Sequence, residues 1–251
     1  MQSVIVAGAS GRVGREMVRA VLREPGFELA GAVAADGIGE DVGEFALSGP
    51  KTGVIIYGSL EEALRNGVRG NILLDFTVAA AARKTIPAAI AAGISPVVGT
   101  TGLAAGEVEA FGKACTIKGI GGAFISNYSV GVMLMIRAAA EARRFMPHVE
   151  IIEMHHHTKL DAPSGTALTT KHRLEKAMGD LPAPEVAIHS IRLPGLVAHQ
   201  EIIFGGPGQT LTIRHDAPSR EAYVPGVLLT CKWVLKENRV AYDLETVAFP
   251  T

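Results

Sequence analysis

Residues 153–166 read EMHHHTKLDAPSGT, three consecutive histidines followed by a lysine and then by a Pro-Ser-Gly-Thr turn. Metal binding is the first chemistry such a cluster brings to mind. His155, His156 and His157 are sequence neighbours, and neighbours in an extended strand point to opposite faces, so they do not converge on one ion. Helical ligand pairs need spacings such as i and i+4, no cysteine is near, and Lys159 stands beside Asp161, the remaining ligand candidate. We expect no metal here. Proton transfer next to a bound anion fits the residue types better. Histidine exchanges a proton near neutral pH, and lysine adds a fixed positive charge and a second proton. Pro163 sets a turn, and Ser164, Gly165 and Thr166 open a helical segment. The first N–H groups of that helix, with two hydroxyls, make a cradle for a carboxylate or phosphate. A solvated loop leading into an ordinary capped helix has the same spacing, so both readings stand at this point.

The preceding VEIIEMHH alternates as a strand does. Extending its alternation puts His155, His157 and Lys159 on one side and His156 on the other. A second chemical feature lies at the other end of the chain. VIVAGASGRVGREMV places Gly8, Gly11 and Gly14 between an apolar strand and a helix. Glycines there permit a tight turn and let backbone approach a pyrophosphate that faces the helix N-terminus. The spacing is G-x-x-G-x-x-G, looser than the usual fingerprint, yet the strand–turn–helix context is the required one. An acidic residue at the end of the second strand, which would bond the ribose hydroxyls of NAD, is expected near Ala34. Asp36 stands slightly later and Arg12 is the nearest cation for a 2′-phosphate, so the choice between NADH and NADPH stays open. Two further strands end in DFT (75–77) and GTTG (99–102), small and hydroxyl-bearing residues suited to close approach by a nicotinamide ribose.

The elements that must carry these residues have two rhythms. In the first half, apolar runs (SVIVAG, FELAGAV, TGVIIYG, NILLDFT, SPVVGTT) alternate with helical segments such as GREMVRAVLREPG, which stops at Pro-Gly, and SLEEALRNG, which opens with Ser59 and Glu62 in a capping-box spacing. Continuous apolar strands separated by helices predict an α/β domain, a Rossmann-like doubly wound parallel sheet. Beyond residue 127 a long helical segment, the VEIIEMHH strand and a second helix are followed by three strands without long helices between them. That pattern predicts a second α+β domain with a mixed or antiparallel sheet. We expect residues 1–127 to form a dinucleotide-binding domain completed by 217–251, and residues 128–216 to form a substrate-binding and oligomerisation domain. Arg220 reads as a cap for the last helix.

Lys and Arg number 24 and Asp and Glu 25, for a formal charge of -1, which leaves no basic footprint for nucleic acid. The apolar stretch VAAAARKTIPAAIAAG is interrupted by Arg83, Lys84 and Pro87 and predicts no membrane span. The N-terminus lacks the pattern of an export signal, and Cys115 and Cys231 read as separate reduced thiols, so a cytoplasmic protein is expected.

EMHHHTKLDAPSGTA also resembles the signature of the dihydrodipicolinate reductase family. GASGRVGR, DFT, GTTG, SNYSVGV, GLVAHQEIIFGGPGQTLTIRH and SREAYVPG agree with that family in order along nearly the whole chain. The resemblance implies a reductase of bacterial lysine and diaminopimelate biosynthesis that uses NADH or NADPH. Its substrate is a cyclic imine with two carboxylates, 4-hydroxy-tetrahydrodipicolinate or the dehydrated form. It implies His155 as the proton donor/acceptor and Lys159 as a second proton donor. His156, Lys159, Ser164, Gly165 and Thr166 would bind the substrate carboxylates. Gly8, Ala9, Ser10, Gly11, Arg12 and Val13, with Gly99, Thr100 and Thr101 and with Ile125, Ser126, Asn127 and Tyr128, would contact the cofactor. A homotetramer built through the second domain's sheet is implied as well. The competing readings are a related dehydrogenase of another small acid and a dinucleotide sensor without catalysis.

Overall fold

In a computed structural model describing residues 1–250, six short strands alternate with helices from the N-terminus. They are β1 (Gln2–Ala7), β2 (Phe27–Val33), β3 (Ile56–Tyr57), β4 (Ile72–Asp75), β5 (Ser95–Val98) and β6 (Gly122–Phe124). Between them run α1 (Gly14–Arg23), α2 (Val42–Leu47), α3 (Leu60–Arg65), α4 (Ala79–Ala91) and α5 (Ala105–Lys118). β4 and β5 are buried along their whole length, as strands covered on both faces must be. On one face Ile5 and Leu73 pack with Leu60 and Ala63 of α3 and Ala89 of α4. Another cluster joins Val98 and Phe124 to Ile86 of α4 and Cys115 of α5.

Local signals set the helix ends. The hydroxyl of Ser59 caps α3 by accepting from the Glu62 N–H at 3.1 Å. The Glu62 carboxylate accepts from the Gly58 N–H at 3.0 Å, one residue outside the position a capping box uses. Helix α1 stops at Arg23, just before Pro25-Gly26.

After Tyr128 a second compact unit, Ser129–Ala222, is built from α6 (Val130–Arg143), β7 (His148–His155), α7 (Gly165–Met178), β8 (Ala187–Arg192), β9 (Ala198–Gly206) and β10 (Gln209–Ala217). Its sheet order is β10-β9-β7-β8; β7 and β8 run parallel and the other neighbours antiparallel, so the sheet is mixed. Val149, Ile151, Ile202 and Phe204 share one face and pack on Val132, Met135 and Ala139 of α6 and on Ala167 and Leu174 of α7.

A 3-10 turn at Arg220–Tyr223 precedes α8 (Val224–Val234), β11 (Val240–Ala241) and α9 (Leu244–Ala248). From Tyr223 on, the chain belongs to the first unit. There β11 pairs in parallel with β6 and makes a seventh strand, order β11-β6-β5-β4-β1-β2-β3. The chain thus runs from β1 outward to β3, then returns to the other side of β1 with β4. The carboxyl ends of β1 and β4 flank that reversal, where ligands of doubly wound sheets bind. Among the described residues no helix is long and apolar enough to cross a membrane.

Candidate active site

Strand β7 carries the histidine cluster to its position. Its inward residues are Val149, Ile151, Glu153 and, at the end, His155, since side chains alternate along a strand. The strand stops there. Lys159 donates its N–H to the His156 carbonyl at 3.1 Å, closing a turn, so the alternation does not extend to His157 and Lys159 as the sequence pattern projected. His157 is exposed, and His156 Nδ1 lies 2.7 Å from the Thr158 hydroxyl. The Lys159 ammonium donates to both carboxylate oxygens of Asp161, at 2.6 and 2.8 Å.

His155 is anchored from two sides. Its ring Nδ1 is hydrogen-bonded to Glu153 Oε2, and the other oxygen of that carboxylate accepts from Arg192 Nη2 at 2.7 Å. Glu153 is completely buried. Burial alone would raise its pKa, but hydrogen bonds from Arg192, Ser190 and His155 outweigh that and hold it below the usual carboxylate range. An ionised Glu153 can only accept, so His155 donates from Nδ1 and keeps Nε2 for chemistry. Burial pushes the His155 pKa down; Glu153 opposes that shift, while the charges of Lys159 and Arg192 add to it. Lys159 therefore lies close enough to His155 to act on it electrostatically.

The loop ends at the N-terminus of α7. Ser164 is the N-cap, its buried hydroxyl accepting from the Ala167 N–H at 3.2 Å. Ser164 thus has the role of an ordinary helix cap, and that role also orients the helix start. Gly165 and Thr166 are the first two residues of α7, at the helix end that faces an anion favourably. The space around Gly165 is open where a side chain would stand. Residues 155–166 therefore carry, close together in the chain, an imidazole, an ammonium and a helix N-terminus.

In the first unit the glycine turn follows β1 at the sheet reversal. Gly8 and Ala9 both donate to the Val33 carbonyl, at 2.8 and 3.1 Å, and Gly11 donates back to the Gly8 carbonyl at 2.9 Å. Gly8 has φ +81°, and a Cβ there would fall on the Phe76 carbonyl; a Cβ on Gly14 would fall on the Gly8 carbonyl. At Gly8 and Gly14 the turn is packed too tightly for a side chain, so bare backbone leads into the N-terminus of α1, a fit for a pyrophosphate. Arg12 is exposed beside it. Ala34 is buried and carries no ribose ligand, but Asp36 accepts a hydrogen bond from the Ser10 hydroxyl, which ties the late carboxylate to the turn.

Thr100 follows β5, and its hydroxyl donates to Asp75 Oδ1 at 2.6 Å; Thr77 does the same at 2.7 Å. Thr101 is exposed after it, and Gly99 donates to the Asp75 carbonyl at 2.9 Å. Ile125 donates its N–H to the Val98 carbonyl at 3.0 Å, and the buried Tyr128 hydroxyl donates to the same oxygen at 2.9 Å. Between them Ser126 is exposed and Asn127 half-buried. Among the described residues no group of three or more His, Cys, Asp or Glu side chains is arranged to hold a metal ion.

Three functional candidates escaped the sequence reading. Glu153 had a signal, its position two residues before His155 on a strand. Arg192 had none, because only the parallel pairing that sets it opposite His155 brings it in. Asp75 carries only the local signal of a loop of small and hydroxyl-bearing residues. It is a wholly buried carboxyl whose pKa burial raises against the bonds from Thr100 and Thr77, and its Oδ2 has no partner.

Comparison with known proteins identifies the family. Residues 2–128 match the family model described as dihydrodipicolinate reductase, N-terminus, and residues 131–248 the one described as dihydrodipicolinate reductase, C-terminus. A 4-hydroxy-tetrahydrodipicolinate reductase of Symbiobacterium thermophilum is 64% identical over 98% of this chain and 97% of its own. One from Moorella thermoacetica is 44% identical, covering 97% of each. A solved dihydrodipicolinate reductase from Paenisporosarcina sp. TG-14, with dipicolinate bound, superposes with a TM-score of 0.84 at 30% identity, covering 98% of this chain and 99% of that one. The chain belongs to the dihydrodipicolinate reductase family.

Proposed function

We propose that this protein is an NAD(P)H-dependent oxidoreductase that reduces 4-hydroxy-tetrahydrodipicolinate, or its dehydrated form, to tetrahydrodipicolinate on the route to diaminopimelate and lysine. The observation that carries the reading is His155, its Nδ1 bonded to the buried Glu153, at the end of the strand that leads through Lys159 into the N-terminus of α7. An acid and an anion cradle are what a ring with two carboxylates requires. The solved relative holds dipicolinate, a flat ring of that kind.

The dinucleotide supplies the hydride when bound at the glycine turn. Reduction of the conjugated imine also consumes one proton, and supplying it is the task of this chain's residues. His155 holds its proton-transfer atom, Nε2, toward the ligand side because Nδ1 is committed to Glu153. Lys159 offsets carboxylate charge and is the second proton donor. The N–H groups of Gly165 and Thr166, with His156 and the hydroxyls of Ser164 and Thr166, fix a carboxylate and hold the ring in reacting geometry. Gly8, Ala9, Ser10, Gly11, Arg12 and Val13 take the pyrophosphate; Gly99, Thr100, Thr101, Ile125, Ser126, Asn127 and Tyr128 take the nicotinamide end. The unit of Met1–Tyr128, completed from Tyr223 on, acts as the dinucleotide domain and Ser129–Ala222 as the substrate and oligomerisation domain, boundaries one and six residues beyond those expected at 127 and 216.

The test is the initial rate of NADH and NADPH oxidation with freshly generated 4-hydroxy-tetrahydrodipicolinate, beside a panel of other small keto and imino acids. Turnover restricted to the cyclic imine is expected; dinucleotide binding without turnover on any substrate would favour the sensor.

Asp36 is the ribose ligand in this reading, because the Ser10 hydroxyl orients its carboxylate beside the turn. Asp36→Ala should shift the ratio of kcat/KM for NADH over NADPH toward NADPH by about tenfold or more, since it removes a charged hydrogen bond to the ribose and a repulsion toward a 2′-phosphate. An unchanged ratio would remove Asp36 from the cofactor site. The assembly we infer is a homotetramer joined through the outer face of the mixed sheet, where half-buried Ile152, Met154 and Ile203 stand among charged neighbours. The two buried thiols support a cytoplasmic location.

A further inference from the structure

We infer that Glu153 and Arg192 are a positioning pair for the proton-transfer histidine: Glu153 fixes the tautomer and direction of His155, and Arg192 fixes Glu153. The inference rests on the reading of His155 as the proton donor.

Three observations place the pair. Glu153 and His155 are inward residues two apart on β7, so the carboxylate and the ring share one face and meet at Nδ1. Arg192 is the last residue of β8 and is paired in register with His155 across the parallel ladder. Its guanidinium reaches the Glu153 oxygen that His155 does not use, at 2.7 Å. The same Nη2 donates at 2.7 Å to the backbone carbonyl of Asp161, in the loop that carries Lys159. The Leu193 N–H, one residue on, donates to the His155 carbonyl at 3.1 Å. Arg192 thus ties the histidine strand and the lysine loop to one fixed point. Both Glu153 oxygens are engaged and the side chain is out of solvent, so the carboxylate has little freedom to turn.

A carboxylate that only oriented the ring sterically would be replaceable by an amide of equal shape. A carboxylate that sets the tautomer is not, because an amide can donate as well as accept and carries no charge to stabilise an imidazolium. The charged groups acting on His155 are Glu153 on its own strand, Lys159 on the following loop and Arg192 on β8; its β9 neighbour is Ala198. Removing Glu153's charge therefore lowers the His155 midpoint, and removing Arg192's charge raises it. The opposite signs give the pair a signature that loss of packing does not share.

The experiment follows the imidazole nitrogens of His155 by NMR across a pH titration in the full-length protein without substrate, for the wild type, Glu153→Gln and Arg192→Gln. Assignment comes from the signal missing in His155→Asn. We expect a neutral wild-type ring protonated at Nδ1. Glu153→Gln should give mixed tautomers and a midpoint lower by about one unit, and Arg192→Gln a midpoint displaced upward. In parallel, Glu153→Gln should lower kcat on the order of 100-fold, leave the substrate KM within about threefold and move the basic limb of the rate profile to lower pH. Unchanged tautomer and midpoint in Glu153→Gln would overturn the pair. If that variant does not fold, Arg192→Gln decides alone, and an unmoved or lowered midpoint overturns it. The expected NMR shifts in a wild-type protein that does not turn over the cyclic imine would uphold the pair and overturn the substrate assignment instead.

Discussion

Lys159→Ala is expected to lower turnover of 4-hydroxy-tetrahydrodipicolinate by about two to four orders of magnitude, the usual result of removing one group that acts in the transition state. The side chain is largely covered, and its ammonium is oriented by both oxygens of Asp161. It is thus a placed charge rather than a mobile surface lysine. If Lys159 has its proposed role, truncation takes away a partner for a substrate carboxylate and a proton source in one step, so kcat should fall and the substrate KM rise together. Dinucleotide affinity should stay within about twofold, because the glycine turn belongs to the other compact unit. Steady-state kinetics paired with a direct dinucleotide titration checks this. Wild-type turnover in the variant would remove Lys159 from the reaction, whereas loss of both activities would point to unfolding.

Gly8→Ala carries the second large effect and should separate the two units in the opposite sense. Position 8 has φ +81°, a conformation that costs an alanine about 1–2 kcal/mol, and the new methyl would fall on the Phe76 carbonyl, so the turn must open. Opening it strains the paired bonds from Gly8 and Ala9 to Val33, which hold the turn against β2. We expect dinucleotide affinity to fall by at least about tenfold and Tm to fall by at least about 2–4 °C, the shift that 1 kcal/mol gives in a chain of this size. Calorimetric titration with NADH and a thermal melt measure both. Unaltered affinity would show that the pyrophosphate does not lie on this turn.

Which parts of this protein can be read from its sequence follows from the range of the forces involved. The glycine turn and the strands within apolar runs were legible because one local run contains the whole signal. β6 and β11 were not: strands of three and two residues are too short to show a period, and they exist because neighbouring strands accept them. α2 was equally hidden. It is capped by Asp41, which accepts from Gly43, Thr52 and Gly53, a staple closed by residues from both sides of the helix. In the candidate site, type and spacing alone single out His155 and Lys159. They do not single out Arg192, because nothing local relates it to residue 155 until the parallel ladder forms. Extending the strand's alternation past His155 failed for a similar reason, since the turn between His156 and Lys159 overrides the period.

The return of the chain at Tyr223 has a consequence for how the protein comes into being. The first unit is discontinuous. Gly226 packs so closely on the Tyr128 carbonyl that a Cβ would not fit, and Gly121 lies against the carbonyls of Val234 and Glu237. During synthesis the seven-stranded sheet therefore waits, open at its β6 edge, while all of Ser129–Ala222 is made. The intervening unit has every strand of its own sheet as soon as Ala217 has emerged, and can settle first. On the ribosome, Ser129–Ala222 can therefore settle before the unit that began earlier, and a chain cut short soon after Ala222 leaves that older unit unfinished.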